Sequence, residues 1–216
     1  MGDAAAVARL DGEDDASAAN DADLLTDLLA PLGGDEARAE ADRLLHRYGT
    51  LARVLDAVAQ DGCGRRPAET VRLLSAHRRA MLHVLASEMV ERPLLGSTAA
   101  IGRYLLARLG GAVAEQLWVL HLDAKLRLIG SPTVFLGCVD EVPIFPREIA
   151  RRSLDLGATG VVLAHNHPSG DLSASEQDRA STARMRDILA GLAIELHDHL
   201  IVSRSGWMSM RSAGLL

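Results

Sequence analysis

The chain has 216 residues, 48% hydrophobic and only 3% aromatic, enough apolar material for one good core and a smaller second one built from Leu, Val and Ala. The formal charge is −6, and two isolated cysteines give no disulfide framework and fit a reducing interior, so a cytoplasmic location is expected. No apolar run approaches the roughly 20 residues that cross a bilayer, and the N-terminus lacks the basic and apolar regions of a signal peptide, so no membrane association is expected.

Residues 1–42 carry twelve acids and two arginines, a net of −10, whereas 43–216 carry seventeen acids and twenty-one bases, a net of +4. Residues 4–19 are rich in Ala, Asp and Gly without a periodic apolar face, which predicts a disordered acidic tail over 1–20. From Asp21 the pattern turns helical, with Leu24, Leu25, Leu28 and Leu29 on one stripe. Further helices over 37–48, 51–59 and 67–91 complete a small all-α domain spanning 21–92. Residues 43–108 hold eleven arginines and five acids, a net of +6 that permits contact with DNA phosphates. Arginines on an alanine-rich helical domain are also its ordinary solvated face, and the periodicity does not gather them on one surface. Residues 93–97 form a linker, with Ser97 placed to cap a helix over 98–109.

The second domain, 98–216, alternates strands and helices. Strands are expected over 115–122, 126–131, 133–140, 159–165 and 194–203, and helices over 146–156 and 175–190. Pro146 suits the first turn of its helix. Gly130-Ser131-Pro132 separates two apolar runs, 126–129 and 134–139, as between neighbouring antiparallel strands. Cys138 lies within the second run and is expected to be a small core hydrophobe. The fold class that results is an α/β sheet flanked by helices, preceded by the all-α domain. There is no phosphate-binding glycine loop of the Walker kind.

The chemistry concentrates where the apolar strand Thr159-Gly160-Val161-Val162-Leu163-Ala164 runs into His165-Asn166-His167-Pro168-Ser169-Gly170. Two histidines two apart on a strand point to one side, and Pro168 and Gly170 then turn the chain into a helix that begins near Ser175. Asp178, in its first turn, can come back over the imidazoles. Two imidazoles and one carboxylate suit a borderline-soft divalent ion such as Zn2+, and three protein ligands leave a position open, as in catalytic sites. Ser175-x-x-Asp178 is also a variant of the helix capping box, a role that does not exclude ligation by Asp178. His197-Asp198-His199 repeats the His-x-His spacing, but within a strand pattern that offers no turn or downstream acid. His-Glu-x-x-His and Pro-Cys-x-x-Cys are absent, which excludes the commonest zinc-protease signature and the nucleobase deaminases.

His165-x-His167-Pro168 followed by Ser175-x-x-Asp178 resembles the JAMM motif of MPN+ metalloproteases, and the fuller string resembles the RadC family of bacterial proteins. The resemblance continues through Leu122-Asp123-Ala124-Lys125-x-Arg127-Leu128-Ile129, Pro146-Arg147-Glu148-Ile149 and Asp198-His199-x-Ile201-Val202, so it covers roughly 97–216. It implies an MPN (JAMM) fold with His165, His167 and Asp178 as zinc ligands, Ser175 as a stabiliser of the oxyanion, and Glu115 as general base. It also implies a peptide or isopeptide substrate. Without the resemblance, Glu115 would be an ordinary solvated acid at a strand entry. In the helical domain the family resembles a helix-hairpin-helix module, here degenerate at Asp61-Gly62-Cys63-Gly64-Arg65-Arg66-Pro67. That leaves two other functions open, a DNA-associated repair or recombination module and a non-catalytic interaction domain. The chain departs from the family pattern at Leu172 and Ala174, where prolines are usual, at Leu126 in place of asparagine, and at Phe145 in place of histidine. The missing prolines predict a more mobile loop over the metal. The sequence sets no oligomeric state.

Overall fold

The structure is a computed structural model that describes residues 7–9, 14–60, 67–90, 98–136 and 145–216. The chain divides into two compact units, 11–84 and the combination of 1–10 with 85–216. The expected 93–97 linker, with Ser97, lies outside the described residues, as do the hairpin segment 61–66 and Cys138.

The helical unit follows its apolar spacing. Helices α1 (Asp14–Leu28), α2 (Gly34–Tyr48), α3 (Leu51–Gln60) and α4 (Ala68–Val90) supply Leu25, Ala37, Ala41, Leu44, Val54, Val58 and Leu74 to one core. These positions recur every three or four residues and so share a helix face. Helix α2 has Asp35 and Glu36 in its first turn and His46 and Arg47 in its last, complementing the helix dipole. Gly49, at φ 86°, stops it by donating its N–H to the Leu45 carbonyl. Arg38, Arg43 and Arg78 are engaged by Asp23, Glu40 and Asp56 inside the unit.

The disordered tail expected over 1–20 is not what the described residues show. Val7–Arg9 forms strand β1, and α1 begins at Asp14. An edge strand is held by main-chain hydrogen bonds that need no side-chain pattern, and alanine with acids near an N-terminus favours helix. Composition alone conceals both.

The second unit is built on a six-stranded sheet in the order β1-β6-β5-β4-β2-β3. Its other strands are β2 (Gln116–Leu122), β3 (Thr133–Leu136), β4 (Gly160–Asn166), β5 (Glu195–Ser203) and β6 (Gly206–Ser209). Only β4 and β5 pair in parallel; the remaining neighbours are antiparallel. Central strand β4 is buried on both faces, which is why its sequence is one continuous apolar run. Val162 and Ala164 pack with Trp118, Leu120 and helix α5 (Thr98–Leu109) through Ile101 and Leu105. Val161 and Leu163 face the other way, toward Ile149 of α6 (Pro146–Asp155) and Met185 and Leu189 of α7 (Glu176–Ala190). The sheet is thus covered by α5 on one face and by α6 and α7 on the other. In α5, Gly102 lets the Trp207 ring lie where a Cβ would stand 2.1 Å from it. Among the described residues no helix is long and apolar enough to cross a membrane.

The strand expected over 126–131 is a turn instead. Asp123 accepts hydrogen bonds from the N–H groups of Lys125 (2.8 Å) and Arg127 (2.9 Å) and bends the chain at once after β2. The pairing continues only through the Leu122–Leu128 bridge, with bonds from Asp123 N–H to the Arg127 carbonyl and from Ile129 N–H to the His121 carbonyl. The run 126–129 is therefore not a strand beside β3, which pairs with β2 directly over Thr133–Leu136; the rest of the strand expected over 133–140 lies outside the described residues. Strand β6, only four residues long after Arg204-Ser205, is too short to carry a period-2 signal, and the sequence reading places no strand there.

Candidate metal centre

The strand, turn and helix that carry the motif converge at the C-terminal end of β4. His165 and His167 flank Asn166, so the pleat sends both rings to one side. The His167 N–H donates to the Val202 carbonyl at 2.8 Å, extending the β4–β5 ladder one residue beyond the strand. Gly170, at φ 93°, closes the turn with a bond to the His167 carbonyl, and the chain reaches Ser175, the N-cap of α7. The capping box is present in full. Ser175 Oγ accepts the Asp178 N–H at 3.0 Å, and Asp178 Oδ2 accepts the Ser175 N–H at 2.8 Å. Because the cap holds Oδ2, Oδ1 is turned to His165 Nε2, 3.1 Å away. The cap and the candidate ligand are one device.

Both imidazoles have their far nitrogens engaged. His167 Nδ1 lies 3.0 Å from the Asp171 carbonyl, which can only accept, so Nδ1 carries the hydrogen and neutral His167 offers its Nε2 lone pair to the site. His165, 3% exposed, has Nδ1 2.8 Å from His199 Nε2. His199 Nδ1 is 2.6 Å from Thr182 Oγ1, whose hydroxyl donates to Met210 Sδ. With that sulfur as terminal acceptor, the proton order runs from His165 to His199 to Thr182 to Met210, and His165 also presents a lone pair at Nε2. The two Nε2 atoms are 2.8 Å apart. Facing lone pairs beside a carboxylate are satisfied by a cation or a shared proton between them, and the donor set fits a divalent ion; His165, His167 and Asp178 offer ligand atoms that all lie within 4.8 Å of one another.

A proton on the imidazoles is the alternative to a cation in this site. Burial pushes the Asp178 carboxyl up, but hydrogen bonds from His165 and His167, when their Nε2 atoms are protonated, outweigh it and hold the acid well below the usual carboxylate range. His167 is raised, first by its hydrogen bond with Asp178, against the effect of burial, with a smaller contribution from the charge of Glu115. Burial and then the neighbouring His165 push His199 far down, consistent with a neutral ring.

Glu115 lies immediately before β2 and lines, with His167, Pro168, Ser169, Asp171, Ser173, Ala174 and Ser175, a cavity of about 590 Å³. The Ser175 hydroxyl hydrogen is directed at Asp178 Oδ2, 2.6 Å away, so any donation to a substrate requires the hydroxyl to rotate. Leu172 and Ala174 are buried against Ile201, Met208 and Met210, so apolar packing anchors the loop where the missing prolines predicted mobility. Phe145 is 44% exposed and packs its ring on Phe135, 5.4 Å between centroids.

The second His-x-His is split by a register shift. Val161 pairs with Leu196 but Val162 with Asp198, leaving His197 as the extra residue. The His197 ring covers Gly160, where a Cβ would stand 2.3 Å from it, and its Nδ1 faces Glu195 at 3.2 Å. His199 instead backs His165. The sequence holds no local sign of that contact, of Thr182 behind it, or of the role of Asn166, because each depends on strand pairing across the sheet.

Residues 95–215 match the RadC-like JAB domain family. A UPF0758 protein of Burkholderia mallei (strain SAVP1) is 39% identical over 202 residues, covering 92% of this chain and 72% of that protein. A UPF0758 protein of Rhodobacter capsulatus is 34% identical over 194 residues, 88% of this chain and 89% of its own length. A third, from Ruegeria pomeroyi (strain ATCC 700808 / DSM 15171 / DSS-3), is 37% identical over 180 residues, 80% of this chain and 78% of its own.

Proposed function

Since the chain belongs to the RadC family and carries its JAB domain, we propose that it is a zinc-dependent hydrolase of an amide bond, a metallopeptidase or isopeptidase. The observation that carries this reading is the pair of directed imidazole lone pairs and the carboxylate oxygen meeting beside a cavity that Glu115 also lines. His165, His167 and Asp178 are the proposed ligands; an ion held there supplies Lewis acidity when bound, and zinc best matches this donor set.

The remaining steps belong to the chain. Glu115 takes a proton from the attacking water and returns it to the departing amine, so that the hydroxyl ends on the carbonyl carbon and the hydrogen on the nitrogen. Ser175, once its hydroxyl turns from Asp178, donates to the oxygen on which negative charge develops. His199 and Thr182 keep the imidazole of His165 in the ligating tautomer. The choice of an amide follows the chemistry that the JAMM resemblance implies.

The test couples metal analysis to cleavage of a peptide library and of ε-amino-linked isopeptides. About one zinc per chain is expected in the wild type, with loss of the metal in His167→Ala. Glu115→Gln is expected to keep the metal and lose roughly 10²- to 10⁴-fold in rate. Undiminished cleavage by Glu115→Gln would remove Glu115 from the mechanism. Metal-free protein whose stability ignores chelators would return the site to a non-catalytic interaction domain.

A further inference from the structure

The residue between the two histidines faces away from them and is itself hydrogen-bonded at both ends of its carboxamide. Asn166 is 1% exposed and closes β4, where the pleat directs its side chain to the side opposite His165 and His167. Its Oδ1 accepts the Gln116 N–H at 2.8 Å, and its Nδ2 donates to the Ala114 carbonyl at 3.1 Å. Those are the peptide groups on either side of Glu115. The backbone pairing of β2 with β4 ends at Leu117 and His165. One carboxamide then stands in for the next rung of the ladder and ties the segment that carries Glu115 to the strand that carries the histidines.

We infer that Asn166 is a positioning residue that sets Glu115 against the metal centre, an inference that rests on the proposed role of Glu115 as base. The residue type follows from the geometry. Only a carboxamide presents an acceptor and a donor side by side without charge at any pH. Aspartate keeps the bond from Gln116 but turns a second oxygen on the Ala114 carbonyl, and alanine removes the partner of both half-buried peptide groups. Position matters because a displacement of about 1 Å in a reacting group can cost about 100-fold in rate.

The experiment compares wild type, Asn166→Ala and Asn166→Asp, each alone and combined with Glu115→Gln. In Asn166→Ala the Gln116 amide is expected to exchange with solvent at least about 10-fold faster, while Val119 within β2 keeps its protection. Co2+ affinity, followed by visible absorption, is expected to stay within about 2-fold, because no proposed ligand is altered. With a peptide that the wild type cleaves, kcat is expected to fall about 10- to 100-fold at constant KM, with no further loss in the Glu115→Gln background. Asn166→Asp, nearly isosteric and able to retain the Gln116 bond, is expected to fold even if the alanine variant does not, and to show a smaller loss in kcat. Unchanged Gln116 exchange, or rate losses that multiply with Glu115→Gln, would overturn the inference. A Glu115→Gln single variant with full activity identifies failure of the base assignment, whereas the exchange measurement tests the clamp without reference to activity.

Discussion

Thr182 and His199 act on the candidate centre by where they leave hydrogens. A neutral histidine has one N–H, and His165 can offer Nε2 to an ion only while Nδ1 holds that hydrogen for His199. His199 accepts it at Nε2 only while its own hydrogen sits at Nδ1, against Thr182. Thr182→Val keeps the shape and removes the acceptor, stranding a buried N–H at a cost of about 1–3 kcal/mol and freeing His199 to adopt the opposing tautomer. Metal affinity is expected to fall about 10-fold, measured by competition with a chromophoric chelator. Affinity equal to the wild type would show that His165 needs no orienting partner. The same scale separates what was legible. His165, His167 and Asp178 could be read because a strand, a turn and a helix start bring them together locally. His199 lies thirty-four residues from the ring it contacts, so nothing local marks it.

At the level of elements, the turn after β2 shows a local signal overriding a pattern. The apolar run 126–129 looks like a strand, yet Asp123 captures two N–H groups and forces Leu126 to φ 61°, where L side chains with a Cβ are disfavoured. This also accounts for the family's asparagine there, since asparagine tolerates the left-handed region. Leu126→Asn is therefore expected to stabilise the domain by about 0.5–1 kcal/mol, read as a higher midpoint in urea unfolding. A lower midpoint would mean that the half-buried leucine contributes more by packing than its backbone costs. The loop 171–174 is the converse case: Leu172 and Ala174 replace stiffening prolines but gain burial against Ile201, Met208 and Met210.

For the whole molecule, buried histidines set the acid limit of stability. His121 is fully buried, with Nδ1 3.1 Å from Ser153 Oγ and Nε2 3.1 Å from Thr133 Oγ1, so it joins β2 to β3 and α6. Burial, helped by the charge of Arg152, lowers it to about 4. Since its unfolded value is near 6.5, the unfolded chain binds the proton first. Its contribution is complete above pH 6.5 and is lost as pH falls toward 4, by about 3 kcal/mol. His197, lowered mainly by burial, acts with the same sign. Unfolding free energies measured from pH 7 to 4 with chelator present should therefore decline with acid, and His121→Gln should flatten that slope. An unchanged slope would place the acid sensitivity elsewhere.

The sequence by itself determined the local chemistry: the candidate ligand set of the strand-turn-helix motif, the capping box that holds Asp178, the continuous apolar run of a strand buried on both faces, and the RadC resemblance. These depend on residue types within a few positions of one another, where periodicity and turn propensity act. The tertiary structure decided the rest. The edge strand β1 and its neighbour β6 exist only because β6 pairs with both β1 and β5, and the tautomer chain behind His165 and the Asn166 clamp on either side of Glu115 only because β4 pairs with β2 and β5 in one register. Such pairing is made by main-chain hydrogen bonds between distant segments, and these leave no mark on the sequence of either partner.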